Sequence, residues 1–315
     1  MAALPHFADR LLAACAAKGA PICIGIDPIL DLMPPSILAR RTDSNDPRLQ
    51  VDAIFDFTLR VLNIVAPLVP VVKFQSAYFE KHYAEGIEAY YSLIGEAREL
   101  GLLVIGDVKR GDIAATNAAY ADAHLADPPA ARDEDETLAA PNAITVSPIC
   151  GLDTLEPFIA AARSAGKGLF VLVRTSNPGS AALQDVPLAD GRTWSQALAD
   201  QLAPLAADPT LIGQSGFSNL GAVVAATQPS AITTLRARLP KSIFLVPGYG
   251  TQGTNAQMTQ AAFIDSRGAI VSASRSILYA HRDPRYAELA SNSWESAVER
   301  ATTDMRDSLR RTLQL

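Results

Sequence analysis

The sequence predicts an α/β chain folded as a (β/α)8 barrel with loop insertions. Three observations predict it. Eight short runs of apolar and β-branched residues recur along the chain. The runs are nearly continuous in apolar character, as strands buried on both faces of a parallel sheet are. Helix-compatible segments separate them, which is the alternation of a barrel. An open doubly wound sheet is the alternative, because alternation alone does not close a sheet.

The elements follow in order. The opening "MAALPHFADRLLAACAAKGAPICIGID" has no basic leader, and Asp9, Arg10 and Lys18 interrupt its apolar residues. It reads as an amphipathic helix leading into a strand, not as a signal peptide. The strands are expected at 22–26, 69–73, 102–106, 143–147, 169–173, 221–226, 243–247 and 269–273. Residues 51–68 and 85–100 carry apolar residues at three- and four-residue spacing and read as helices. Residues 152–166 end on Gly166, a helix stop. A helix is expected at the C-terminus. No run is long enough to span a membrane. The expectation is one barrel domain over 1–315, with no internal repeat.

Two polar, proline-bearing stretches, 40–50 and 126–141, read as loop insertions. The acidic cluster Asp133 to Glu136 in the second reads as a solvated face. A long loop over 174–193 opens "RTSNPGS" and is the best candidate for a lid.

A chain 49% hydrophobic and 19% charged reads as soluble and globular. Its net charge of −6 argues against nucleic acid or an anionic membrane as the main partner. A small anionic ligand remains compatible, because a local site can oppose the global charge. Cys15, Cys23 and Cys150 are scattered and odd in number, so they read as reduced thiols of a cytoplasmic protein. His6, His82, His124 and His281 lack metal-ligand spacing, and no metal site is expected.

In such a barrel the active site lies at the C-terminal ends of the strands. Asp27 follows the first strand, Lys73 ends the second, and Asp107 and Lys109 follow the third. Ser147 follows the fourth and "RTSN" the fifth. Charge is expected at the strand ends and not in their interiors. In an extended segment Asp107 and Lys109 project to the same face. A lysine between carboxylates stays protonated, so it donates a proton and is no amine nucleophile. A carboxylate beside the substrate repels an anionic substrate group and favours its departure. The pattern suggests acid chemistry at a developing carbanion. The alternative is an ion-pair network that only ties strand ends together, which is weak support for stability.

"PGYGTQG" after the seventh strand and "SASRS" after the eighth fall at the phosphate position of these barrels. Glycines let backbone N–H groups approach phosphate oxygens. Arg275 would pair with the phosphate and Gln252 would donate to it.

Together the segments resemble orotidine 5′-phosphate decarboxylases, in the bacterial subgroup with longer loops. The likeness runs from about Ile22 to Tyr279. Its centre is Asp-x-Lys-x-x-Asp-Ile followed by threonine: Asp107, Lys109, Asp112, Ile113 and Thr116. "GIDP", "KFQSAYFE", "SPICGLDTLEPF", "LVRTSNPGS", "VPGYGTQG" and "SASRSILYA" flank it in order. The resemblance implies that orotidine 5′-phosphate becomes uridine 5′-phosphate and carbon dioxide without metal or organic cofactor. It implies that Lys109 protonates C6 of the pyrimidine, that Asp107 lies by the substrate carboxylate, and that Lys73 extends the charged chain to the ribose. Asp27 would bind a ribose hydroxyl, Ser176 and then Thr175 the pyrimidine, and Gln252 and Arg275 the phosphate. Asp112, Ile113 and Thr116 would reach a neighbouring subunit's site in a homodimer.

Other readings of the same barrel are a magnesium-dependent sugar-phosphate lyase, a Schiff-base aldolase using Lys73 or Lys109, and a nucleotide-binding barrel without catalysis. Lys73 and the "KRGD" form of the motif favour the nucleotide enzyme. Flanking carboxylates disfavour the Schiff base, which needs a lowered lysine pKa.

Overall fold

In the computed structural model, residues 6–39, 46–127, 138–250 and 255–315 are described. Eight parallel strands close on themselves in sequence order, so the closed barrel and not the open sheet is the fold. They are β1 Ile22–Ile26, β2 Val71–Gln75, β3 Leu103–Arg110, β4 Ala143–Val146, β5 Gly168–Arg174, β6 Ser218–Val224, β7 Ser242–Val246 and β8 Ala269–Ala273. The ladder β1–β8 completes the ring through Ile22↔Val271 and Cys23↔Ser272.

Helices follow most strands and cover the outside: Pro47–Val65, Tyr83–Glu99, Ala114–Leu125, Glu156–Ala165, Trp194–Ala206 and Pro229–Arg238. A helix over Phe7–Lys18 precedes β1, and Trp294–Leu313 ends the fold. Local sequence sets their ends. Thr193 and Gln196 form a reciprocal capping box at the start of Trp194–Ala206. Gly166, at φ +64°, ends Glu156–Ala165 in the left-handed conformation that suits glycine.

The barrel interior is filled from below. Phe7 packs edge-on against Phe170 of β5, centroids 6.0 Å apart. With Cys23, Val71, Ile105, Ala143 and Ile270 they form one buried apolar cluster. Gly168 makes this possible: a Cβ there would lie 2.2 Å from Phe7 Cδ1.

Several expected boundaries shift. β2 begins at Val71 and not at 69, because Pro70 has no N–H to donate and offers only its carbonyl, to Leu103. It also runs two residues past 73, so Lys73 is inside the strand, paired with Gly25 and Ile105. β3 continues to Arg110 and carries Asp107 and Lys109 within it. The expectation of charge only beyond the strands is therefore wrong. Lys73, Asp107 and Lys109 enter the strands here because they neutralise one another. β6 lies earlier than expected, at Ser218–Val224. Of the insertion at 40–50, residues from Pro47 already belong to the long helix. Residues 40–45 and 128–137, including the acidic cluster, lie outside the described residues.

Candidate active site

The site begins with strand parity. Cys23, Val71, Ile105, Ala143 and Phe170 line the interior. Alternate residues along a strand share a face. Two residues further on each strand stand Gly25, Lys73, Asp107, Thr145 and Leu172. The next step reaches Asp27, Gln75, Lys109 and Ser147. On β2, β3 and β4 the inner wall thus changes from apolar to polar in one rung at the C-terminal rim.

Asp107 is the centre. It is only 7% exposed. Oδ2 accepts from Lys73 Nζ at 2.6 Å and Gln75 Nε2 at 3.1 Å. Oδ1 accepts from Lys109 Nζ at 2.6 Å and Thr145 Oγ1 at 2.9 Å. Burial alone would raise its pKa. The charges of Lys73 and Lys109, and their hydrogen bonds, outweigh burial and hold the carboxyl well below the usual carboxylate range. Lys73 shows the converse. Burial opposes its charge, but Asp107 and Asp27 outweigh burial and raise it above the usual lysine range. Lys73 is therefore a fixed cation. The Lys109 side chain is 45% exposed and faces the open rim.

Asp27 follows β1 with one carboxylate oxygen, Oδ1, buried and without a hydrogen-bond partner. The turn carrying it is pinned by Tyr279, whose hydroxyl donates to the Asp27 carbonyl at 2.8 Å and accepts from Ile29 N at 2.6 Å. A buried carboxylate oxygen facing no donor is suited to a ligand hydroxyl. Arg275 opens the one-turn helix after β8 and is exposed. Its charge acts on the Tyr78 phenol, as do those of Asp27 and Lys73. Tyr78, half-buried, lies within electrostatic range of both the lysine end and the arginine end of the rim. Gly248 and Gly250 of the β7 loop take φ of +93° and +84°. Gly250 packs against Ser276, next to Arg275. Gln252 lies outside the described residues.

The segment after β5 is tethered. Arg174, 2% exposed, binds Asp185 through two hydrogen bonds of 3.0 and 2.8 Å. Gln184 Oε1 accepts from the Thr175 backbone N at 2.8 Å. Ser176 between them is half-buried.

The structure brings Lys73, Asp107 and Lys109 into one network and places Asp27 within electrostatic reach. Asp112, Ile113 and Thr116 stand outside it. Asp112 is fixed at its backbone by Asn117, which accepts from its N and donates to its O. Ile113 is 63% exposed and Thr116 is exposed. Four participants were not anticipated: Gln75, Tyr78, Asn117 and Thr145. Parity would have found Gln75 and Thr145, two residues beyond Lys73 and Ala143 on the same inner face. Tyr78 and Asn117 follow from how helices dock at the rim, and no sequence signal marks them.

A closed parallel barrel with a carboxylate held between two ammonium groups at its rim defines a class: a barrel enzyme with a fixed array of opposite charges at the mouth. Its relatives make the class particular. The chain belongs to the orotidine 5′-phosphate decarboxylase / HUMPS family, whose model matches residues 21–289. Orotidine 5′-phosphate decarboxylase of Rhodopirellula baltica is 38% identical over 310 residues, covering 96% of this chain and 99% of that one. That of Caldicellulosiruptor bescii is 34% identical over 295 residues, covering 92% and 94%. The solved structure of a Streptomyces avermitilis protein provisionally given the same name superposes with a TM-score of 0.76 at 31% identity, covering 99% of this chain and 98% of that one.

Proposed function

We infer that this chain decarboxylates orotidine 5′-phosphate to uridine 5′-phosphate, a carboxy-lyase step of pyrimidine nucleotide synthesis. Family membership and the named relatives support the activity. The observation that carries the chemistry is the Asp107 carboxylate clamped between Lys73 and Lys109.

The C6–carboxylate bond breaks, carbon dioxide leaves, and the electron pair stays on C6. Lys109 Nζ gives that carbon its proton and regains one from water at the open rim. Asp107 repels the substrate carboxylate and aims Lys109 through their 2.6 Å hydrogen bond. The two lysines stabilise the developing carbanion as fixed positive charge, which needs no reorganisation at the moment of reaction. Lys73 and the unpartnered Asp27 oxygen take the ribose hydroxyls. Arg275, with Gln252, takes the phosphate, and Ser176 and Thr175 contact the pyrimidine. Binding energy from the phosphate end, remote from C6, lowers the barrier at C6.

The exposed Ile113 beside Asp112 favours a homodimer, in which Asp112, Ile113 and Thr116 complete the partner's site. Among the described residues no helix is long and apolar enough to cross a membrane. With free cysteines throughout, the cytoplasm is the compartment we assign.

The test is turnover of orotidine 5′-phosphate in EDTA, followed by loss of the orotate chromophore. Turnover that disappears in Lys109→Ala supports the reading. Activity abolished by the chelator, or turnover only of sugar phosphates with magnesium, would overturn it. Mixing Lys109→Ala and Asp112→Ala subunits tests the shared site: activity recovers on subunit exchange if Asp112 serves the partner, and stays lost if it does not.

A further inference from the structure

We propose that Thr145 is a positioning residue for the proton donor: its one hydroxyl fixes the Lys109 backbone and the Asp107 carboxylate together, so Lys109 is aimed before substrate arrives. The proposal rests on Lys109 being the acid in the reading above.

Lys109 has φ +46°, in the left-handed region that non-glycine residues seldom adopt. It lies where the β3–β4 ladder is irregular. Gly106 pairs with Ile144, and the next pair is Arg110 with Val146. Four steps along β3 therefore face two along β4, and the Lys109 N–H is turned away from the regular ladder. Its acceptor is Thr145 Oγ1, at 3.0 Å. A hydroxyl has one hydrogen to give. Because it accepts from the Lys109 N–H, that hydrogen is free for Asp107 Oδ1, 2.9 Å away. Asp107 Oδ1 in turn accepts from Lys109 Nζ at 2.6 Å. The loop closes: Thr145 holds the lysine at its backbone, and through Asp107 at its tip.

Threonine suits the task beyond its hydroxyl. It is 1% exposed, and β-branching restricts its χ1, so the oxygen does not wander. The chain after Lys109 is equally confined, since a Cβ on Gly111 would lie 2.6 Å from the Ser147 carbonyl oxygen. A donor on a strained backbone, with no room to shift at Gly111, depends on this acceptor for its direction.

The experiment compares Thr145→Val, which keeps the shape and loses the hydroxyl, with Thr145→Ser, which keeps the hydroxyl. Misplacing a catalytic group by an ångström costs about 100-fold. Thr145→Val should lower kcat about 10- to 100-fold, with KM and the Kd for uridine 5′-phosphate within about threefold of wild type. Thr145→Ser should stay within about fivefold of wild-type kcat. A purely structural role would lower the melting temperature of both variants and leave kcat per folded site unchanged. That result, or a serine variant as impaired as the valine one, overturns the proposal. If Thr145→Val does not fold, Thr145→Ala against Thr145→Ser gives the same contrast. A wild type that folds and never turns over the substrate overturns the functional reading and this proposal with it. A normal rate in Thr145→Val overturns this proposal alone.

Discussion

Asp107→Asn keeps the size of the central side chain and removes its charge. In the folded protein that charge is met by two ammonium groups, each 2.6 Å away. Removing one partner of a buried ion pair costs about 3–5 kcal/mol, largely because the other charge is left buried. Lys73 is that charge here, and Asn retains one acceptor, so a loss of about 3 kcal/mol of folding stability is expected. The effect on catalysis separates from it. Two carboxylates about 4 Å apart at an effective dielectric near 20 repel by about 4 kcal/mol. The lysines offset part of that in the ground state, and the repulsion vanishes when carbon dioxide leaves. Without it, and with Lys109 no longer held at its tip, kcat should fall about 1000-fold, about 4 kcal/mol. Binding of the carboxylated substrate should not weaken, because the repelling charge is gone.

The assay is kcat by loss of the orotate chromophore, with Kd values for substrate and for uridine 5′-phosphate measured on the slowed variant. A tighter or equal substrate Kd beside a collapsed kcat is the expected pair. A kcat within tenfold of wild type would refute the claim that the lysine–carboxylate array performs the chemistry. A substrate Kd weakened as much as the product Kd would refute the repulsion argument and leave Asp107 with only the task of holding Lys109.

Three other outcomes are expected. Arg275→Ala should weaken uridine 5′-phosphate binding about 10- to 100-fold and leave uridine binding unchanged, by titration calorimetry; equal losses for both would remove the arginine from the phosphate end. Asp185→Ala strands the buried Arg174 guanidinium, so it should lower stability by about 3 kcal/mol and raise KM more than it lowers kcat, as steady-state rates and denaturant melts would show. Burial, and then the Arg110 charge, lower the His124 pKa from 6.5 to about 4. The unfolded chain therefore binds the proton first as pH falls, and stability present above pH 6.5 is lost on the way to pH 4, by at most about 3 kcal/mol. Denaturant midpoints at pH 7 and pH 4.5 should differ less in His124→Gln; an unchanged difference would place the acid sensitivity elsewhere.

The barrel was legible because burial on both faces leaves a plain mark. Runs such as "ICIGI" and "AIVSA" have no polar face, and they reappear as β1 and β8 with unchanged limits. The limits failed where the inner wall turns polar. An apolar run is expected to stop at its first charge, so the pattern ends β2 at Lys73 and β3 before Asp107. Both strands continue, because a charge facing inward is neutralised across the barrel and not by water. The partner that makes this possible lies 34 residues away in the chain, and no local pattern shows it. The register β2–β3 sets Gln75 opposite Asp107, and only barrel closure makes that register meaningful.

The charged residues of the rim were thus easier to read than those that hold them. Asp107 and Lys109 announce themselves by charge in an apolar setting. Thr145 and Asn117 are small, neutral and common in any strand or helix. Their importance comes from geometry: a left-handed backbone at Lys109 with one acceptor, and an Asp112 backbone bound at both its N–H and its carbonyl by a fully buried amide. Strain of this kind, of order 1–3 kcal/mol, persists only where neighbours over-determine it. Charge can be spread along the sequence motif, but the direction of the Lys109 ammonium depends on which neighbours bind its backbone. In this barrel that neighbour is on the next strand, one rung above the apolar floor.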